Sequence, residues 1–265
     1  MVKGILVTTV VKPSAEIWEK ATQVARDLHL PCVERGSNSL EYLQQQGAKQ
    51  VLVVGRNRIV WHCAAGEYYF HPNMAKLRIL ALTRGENDHL VQAMGLKLGD
   101  VVLDCTLGMA ADALVAAHVV GEQGRVIGVE ANAIQAYLVA DGLQNMPENL
   151  PELNAAAQRI EVRSGHHLEI LRQMADKSVD VVYFDPMFRY QKQGYEQNIA
   201  LDFFRSQAEM APVSMEAMEI AQRVARKRVV LKERQGSQEF QRLGFSQLVG
   251  GKYSAVAYGI LDVAD

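Results

Sequence analysis

Three acidic residues stand where apolar runs end, and their types and spacing point to chemistry. The first closes Val101-Val102-Leu103-Asp104 and leads into Cys105-Thr106-Leu107-Gly108-Met109-Ala110-Ala111-Asp112. A carboxylate at Asp104 opposes a phosphate and welcomes a cation. The second closes Arg125-Val126-Ile127-Gly128-Val129-Glu130, 22 residues past Gly108. An acid in that place accepts ribose hydroxyls. The third follows Val179-Asp180-Val181-Val182-Tyr183-Phe184 as Asp185-Pro186-Met187-Phe188. Here the Asp185 carboxylate and the Pro186 carbonyl, fixed by proline's restricted φ, are acceptors for the two N–H groups of an amine, and Phe188 is a ring to stack on a base. An aryl amine shares its lone pair with its ring and is a poor nucleophile. Acceptors that draw its nitrogen toward tetrahedral geometry also offset the positive charge developing during attack.

These residues need a strand, a glycine turn and a helix to hold them. Val101 to Asp104 suits a buried parallel strand, Gly108 permits the turn, and Asp112 falls in the first turn of a helix to about Val120. A dinucleotide fingerprint places glycines where this chain has Gly108, Ala110 and Ala113, so two of three are missing. A nucleotide carrying a cation fits better, and S-adenosylmethionine has an ammonium on its methionine portion. The D-x-T-x-G pattern resembles motif I of class I methyltransferases. Asp185-Pro186-Met187-Phe188 resembles the D/N-P-P-Y/F/W motif of enzymes that methylate exocyclic amines of bases. Taken singly, each has a plainer alternative: a buried βαβ unit with incidental acids, and a strand ending in a proline turn.

Met74-Ala75-x-x-Arg78-x₅-Arg84-Gly85-Glu86, Gly95-Leu96-Lys97, the Asp104 to Ala113 stretch, Val182 to Phe188, and Lys227-Arg228-Val229-Val230-Leu231-Lys232 together resemble the J-type bacterial small-subunit ribosomal RNA guanine-N2 methyltransferases. The resemblance covers about residues 74 to 232. It implies a Rossmann-like α/β class I domain with a mainly parallel seven-stranded sheet. It also implies S-adenosylmethionine binding by Ala111, Asp112, Glu130, Ala131, His166, His167 and Asp185, beside the Asp104 and Gly108 of the strand and turn. Asp185, Pro186 and Phe188 are the expected catalytic residues, and Arg78, Arg84, Arg189 and Lys232 the expected substrate contacts near the mouth. The chain departs from that family at Ala111, where the family has arginine, at His166-His167, where it has two serines, and at Arg189-Tyr190, where it has Pro-His. These departures bear on the substrate more than on the cofactor. A small molecule or protein side chain as acceptor, and a non-catalytic cofactor- or RNA-binding module, stay open beside the RNA amine.

Further basic residues run from Arg223, Arg226, Lys227 and Arg228 to Arg234, Arg242 and Lys252. They are a candidate phosphate grip, or a solvated face. An RNA guanine would have to flip out to reach Asp185.

Around this core, alternating segments predict an α/β chain of two domains, a small one over residues 1–73 and the methyltransferase domain over 74–265. The first reads as a strand over 4–10, a helix capped by Ser14, a short strand over 31–34, a helix over 39–46, and strands over 51–54, 59–63 and 68–70. His62 and Cys63 are adjacent and so lie on opposite faces of a strand, which gives no metal site. The second reads as helices over 74–82 and 86–94, alternating strands and helices from 101 onward, a helix capped by Ser214, a strand over 228–232, and a terminal hairpin. With 49% hydrophobic and 22% charged residues, the chain has enough apolar surface for a full core, and its net charge of −2 gives no global pull toward nucleic acid. Three scattered cysteines, no apolar run long enough for a signal peptide and none long enough to span a bilayer predict a cytoplasmic protein without disulfides or membrane association. Nothing in the sequence sets an oligomeric state.

Overall fold

The computed structural model describes residues 4–64, 66–146, 151–186, 212–251 and 253–263. The chain divides into two compact units, and the division in sequence falls between His71 and Pro72.

The first unit has a four-stranded sheet in the order β1-β2-β3-β4: β1 (Gly4–Thr9), β2 (Ala48–Val54), β3 (Ile59–Cys63) and β4 (Gly66–Tyr68). β1 and β2 are parallel, because α1 (Ala15–Asp27) and α2 (Leu40–Gln45) separate them in sequence; β3 and β4 then fold back as antiparallel strands. Ser14 and Ser39 cap the two helices, their hydroxyls accepting from Ile17 N and Tyr42 N. The short strand expected over 31–34 is a single bridge from Cys32 to Val7, flanked by two backbone bonds. β4 lies earlier than expected, since Tyr68 pairs with Trp61 and their rings meet edge to face at 6.4 Å.

The second unit opens with α3 (Asn73–Thr83) and α4 (His89–Met94). The second of these starts later than the apolar pattern predicts because the Asp88 carboxylate accepts from Leu90 N and Val91 N and so fixes the helix start. Then follow β5 (Val101–Asp104), α5 (Ala111–Val120), β6 (Arg125–Glu130), α6 (Ala133–Gln144), α7 (Pro151–Ala157), β7 (Ile160–Ser164), α8 (His167–Gln173) and β8 (Val179–Phe184). The chain closes with α9 (Met215–Val224), β9 (Ala225–Arg234), α10 (Glu239–Arg242), β10 (Gln247–Val249) and β11 (Val256–Asp262). Sequence periodicity missed α7 and α10, which are two turns and one turn long and too short to show a period.

The sheet order is β10-β11-β9-β8-β5-β6-β7, the seven-stranded, mainly parallel Rossmann-like sheet expected. Among the described strands only β11 runs antiparallel, inserted between β9 and β10. All six residues of β8 are buried, as suits a central strand covered on both faces. Its Val182 and Phe184 join Leu103, Val129, Leu231 and Met218 in the main core. Because β5, β6, β8 and β9 are parallel and in register (Asp104 beside Tyr183 and Gly128, Phe184 beside Leu231), their carboxyl ends emerge on one edge. Asp104, Glu130, Asp185 and Lys232 all lie there. Among the described residues no helix is long and apolar enough to cross a membrane.

Candidate active site

The turn after β5 is built by its own side chains. Asp104 Oδ1 accepts from Thr106 N at 3.0 Å, and the Thr106 hydroxyl oxygen accepts from the backbone N–H of Asp185 at 2.6 Å. The chain then passes through two left-handed residues, Gly108 at φ 53° and Ala110 at φ 60°. Alanine tolerates that region at a cost of about 1–2 kcal/mol, so the turn keeps its shape where a dinucleotide fingerprint has its second glycine. Gly128 of β6 lets Leu107 lie against the strand, since a Cβ there would meet the leucine side chain at 2.5 Å.

Glu130 closes the pocket edge on the β6 side. Its Oε2 accepts from Gly108 N at 3.1 Å and Gln135 Nε2 at 3.2 Å, and its Oε1 from Asn132 N at 2.9 Å. The Ala131 backbone N–H also donates to this carboxylate, so the protein itself fixes its direction. Asp104 is almost fully buried and has one described donor, Thr106 N. Burial, together with the Asp112 and Asp185 charges, pushes its carboxyl up to about 8. The Glu130 carboxylate suits the hydroxyls of a ribose, and an ammonium beside Asp104 would draw its raised carboxyl back down toward the ionised form. Ala131 follows Glu130, and Ala111 begins α5.

Asp112 is a hub. Arg78 donates to its Oδ1, while Tyr183 Oη at 2.7 Å and Lys232 Nζ at 3.0 Å donate to its Oδ2. Arg78 is clamped in turn by both oxygens of Asp88, at 2.7 and 2.9 Å. Burial alone would raise the Asp112 carboxyl, but the Lys232 and Arg78 charges outweigh it and hold the group below the usual carboxylate range. Lys232 reaches on to Asp185 Oδ2 at 2.7 Å. Burial raises the Asp185 carboxyl and Lys232 pulls it back, leaving it at about 6. No described residue donates to Asp185 Oδ1.

The structure therefore brings Asp104, Gly108, Asp112, Glu130 and Asp185 to one edge, where Glu130 holds Gly108 and Lys232 bridges Asp112 to Asp185. It gives Arg78 and Lys232 carboxylate partners inside the site, so they are not loose cations awaiting phosphate. Arg84 is exposed at the end of α3. The expected roles of Phe188 and Arg189 lie outside the described residues, as does Met187; Pro186 is the last residue described there. His166 is the N-cap of α8, its Nδ1 accepting from Leu168 N at 3.1 Å, and its ring stacks on His167 at 4.4 Å. His167 meets Phe184 edge-on at 5.7 Å.

The basic run is mostly matched by acids. Arg223 pairs with Asp176, Arg226 and Lys227 with Asp180, Lys227 also with Asp100, Arg228 with Asp262, and Arg242 with Glu239. Arg226, Lys227 and Arg228 sit at the start of β9, the end of the sheet away from Asp185, so a continuous phosphate grip at the mouth is not formed by them. Sequence reasoning missed Tyr183, Asp88 and Thr106 as parts of the site. A tyrosine hydroxyl within a fully buried strand was the available signal, since a buried hydroxyl needs a partner.

A family model described as "Putative SAM-dependent methyltransferase" matches residues 68–252, which take in the whole of this edge. The chain belongs to this family of S-adenosylmethionine-dependent methyltransferases. Protein YpiP of Bacillus subtilis (strain 168), described as uncharacterized, is 36% identical to this methyltransferase over 260 residues, 98% of this chain and 100% of YpiP. Ribosomal RNA small subunit methyltransferase J of Tolumonas auensis is 34% identical over 150 residues; the match spans 56% of this chain and 59% of that relative. In fold, this methyltransferase is similar to the SAM-dependent methyltransferase NGO1261 from Neisseria gonorrhoeae, with a TM-score of 0.66 at 17% identity over 98% of this chain and 97% of that one. S-adenosylmethionine is thus the cofactor of this methyltransferase, and the acceptors along the edge from Asp104 to Glu130 suit it.

Proposed function

We propose that this cytoplasmic methyltransferase modifies an exocyclic amine of an RNA base, guanine N2 of small-subunit ribosomal RNA. The observation that carries the reading is Asp185: a carboxyl at the carboxyl end of β8, with Oδ2 held by Lys232 and Oδ1 without a described donor. When bound, the cofactor supplies a methyl group on a sulfonium, whose bonding pair leaves with sulfur. Asp185 and the Pro186 carbonyl accept the N–H groups of the amine, and Asp185 takes the proton that the methylated nitrogen gives up. Asp104, Gly108, Ala111, Asp112, Glu130, Ala131, His166 and His167 form the cofactor side. Phe188 stacks on the base, with Arg84 and Arg189 on its phosphates; Arg78 and Lys232 act from within the protein. The similarity to the small-subunit methyltransferase J relatives supports RNA as the acceptor class.

The test is transfer of labelled methyl to small-subunit RNA from a strain lacking this protein, with the modified base mapped. N2-methylguanine made by wild type and lost in Asp185→Ala is expected. Transfer to free metabolites or protein without RNA, or cofactor binding with no transfer, would overturn the reading.

A further inference from the structure

Lys232 is the residue in this edge whose partners are hardest to reconcile with a substrate contact. It stands on β9 one residue past Leu231, which pairs with Phe184, so its stem starts level with Asp185 on the neighbouring strand. Its ammonium lies 3.0 Å from Asp112 Oδ2 and 2.7 Å from Asp185 Oδ2. Asp112 is itself immobilised by Arg78 and by the Tyr183 hydroxyl, and Arg78 by Asp88. Lys232 therefore joins a fixed carboxylate to the one that ends β8.

We propose that Lys232 is a positioning residue for methyl transfer: anchored on Asp112, it holds the Asp185 carboxylate by Oδ2, keeps it ionised, and leaves Oδ1 to the N–H of the acceptor. This rests on the amine reading above and states how that site is set up. The surroundings make the cation necessary. Asp185 faces Lys232 and Glu233 from β9, Asp112 from α5, Asp104 from β5, and Tyr183 from its own strand, while Arg78 of α3 and Tyr258 of β11 face Asp112 and Lys232 behind it. Among the described residues Lys232 is the cation in direct contact with Asp185. Without it, Asp185 would face the neighbouring acids uncompensated in a low-dielectric edge and would take up a proton. A protonated carboxyl turns an O–H donor toward an amine that needs an acceptor.

The test is a ¹³C NMR titration of aspartate carboxyl carbons in the full-length protein without cofactor, the Asp185 signal being assigned by its loss in D185N. Wild type, K232M, K232Q and K232R are compared. In K232M the Asp185 midpoint is expected to move up by about 1 pH unit or more, the size of a nearby charge removed. K232Q, which keeps an N–H donor but carries no charge, should show the same upward move, and supplies the measurement should K232M not fold. K232R should return the midpoint toward wild type. In turnover on RNA, the acid limb of the kcat/KM profile should follow the titration in each variant. An Asp185 midpoint unchanged in the uncharged variants, or an acid limb that ignores it, overturns the proposal. Wild-type protein that transfers nothing to RNA overturns the amine reading instead, and the titration still decides whether Lys232 keeps Asp185 ionised.

Discussion

The backbone N–H of Asp185 donates to the Thr106 hydroxyl at 2.6 Å, across 79 residues of sequence, and so ties the turn after β8 to the turn after β5. On the proposed reading these two turns align cofactor and acceptor, and among the described residues this hydrogen bond joins them. Thr106→Val keeps the shape and leaves a partly buried N–H unsatisfied, which costs about 1–3 kcal/mol. Loss of that stability in urea denaturation is expected, with a fall in kcat larger than any rise in cofactor KM. Thr106→Ser should restore both.

Asp112 holds two cations and a tyrosine hydroxyl. Removing one partner from a buried ionic network leaves the others uncompensated, at about 3–5 kcal/mol. Asp112→Ala is therefore expected to lower stability by that order, far more than substitution of an exposed acid such as Glu169. Chemical denaturation of the two variants checks it. Because the Asp112 carboxyl is held below its usual range, its contribution is present above the unfolded value near 4 and is lost as pH falls through the lower folded value.

Asp104 has the opposite sign. Its folded carboxyl is pushed up to about 8, while the unfolded group ionises near 4. Its contribution is complete below the unfolded value and is withdrawn as pH rises through that window, at no more than about 1.4 kcal/mol per pH unit. Asp104→Asn removes the slope and keeps an oxygen for Thr106 N. The stability of the variant relative to wild type is expected to rise steadily from pH 5 to pH 8 in urea titrations at fixed temperature. A difference that does not change with pH would refute the raised value.

Glu130 accepts from Gly108 N and Asn132 N, and in the proposed reading it also accepts from the cofactor ribose. A hydrogen bond to a charged group contributes about 1.5–3 kcal/mol. Glu130→Ala is expected to weaken S-adenosylmethionine binding by about ten-fold or more in calorimetric titration. Affinity equal to wild type would remove Glu130 from the cofactor side.

Ala110 is fully buried at φ 60°. Glycine carries no Cβ penalty there, so Ala110→Gly is expected to raise stability by up to about 1 kcal/mol despite the greater freedom of its unfolded chain. A change in melting temperature checks the sign, and a decrease would show that the alanine methyl's packing outweighs the strain.

What the sequence determined was local. Val101 to Leu103 and Val181 to Phe184 are short apolar runs each followed by an acid, and their length and β-branched content favour strands. Ser14, Asn132 and Ser214 mark helix starts because a cap acts on N–H groups two or three residues away. The strand ends and their acids followed from that, and so did the class of sheet. Only the tertiary structure decided which charges meet. Lys232 is 120 residues from Asp112 and 47 from Asp185, and Arg78 is 34 from Asp112. A formal charge in a sequence carries no record of its partner, so residues that looked like a phosphate grip proved to be counter-ions. Strand order set the difference: β9 lies beside β8 because the parallel sheet closes that way, and this alone puts a lysine between two carboxylates.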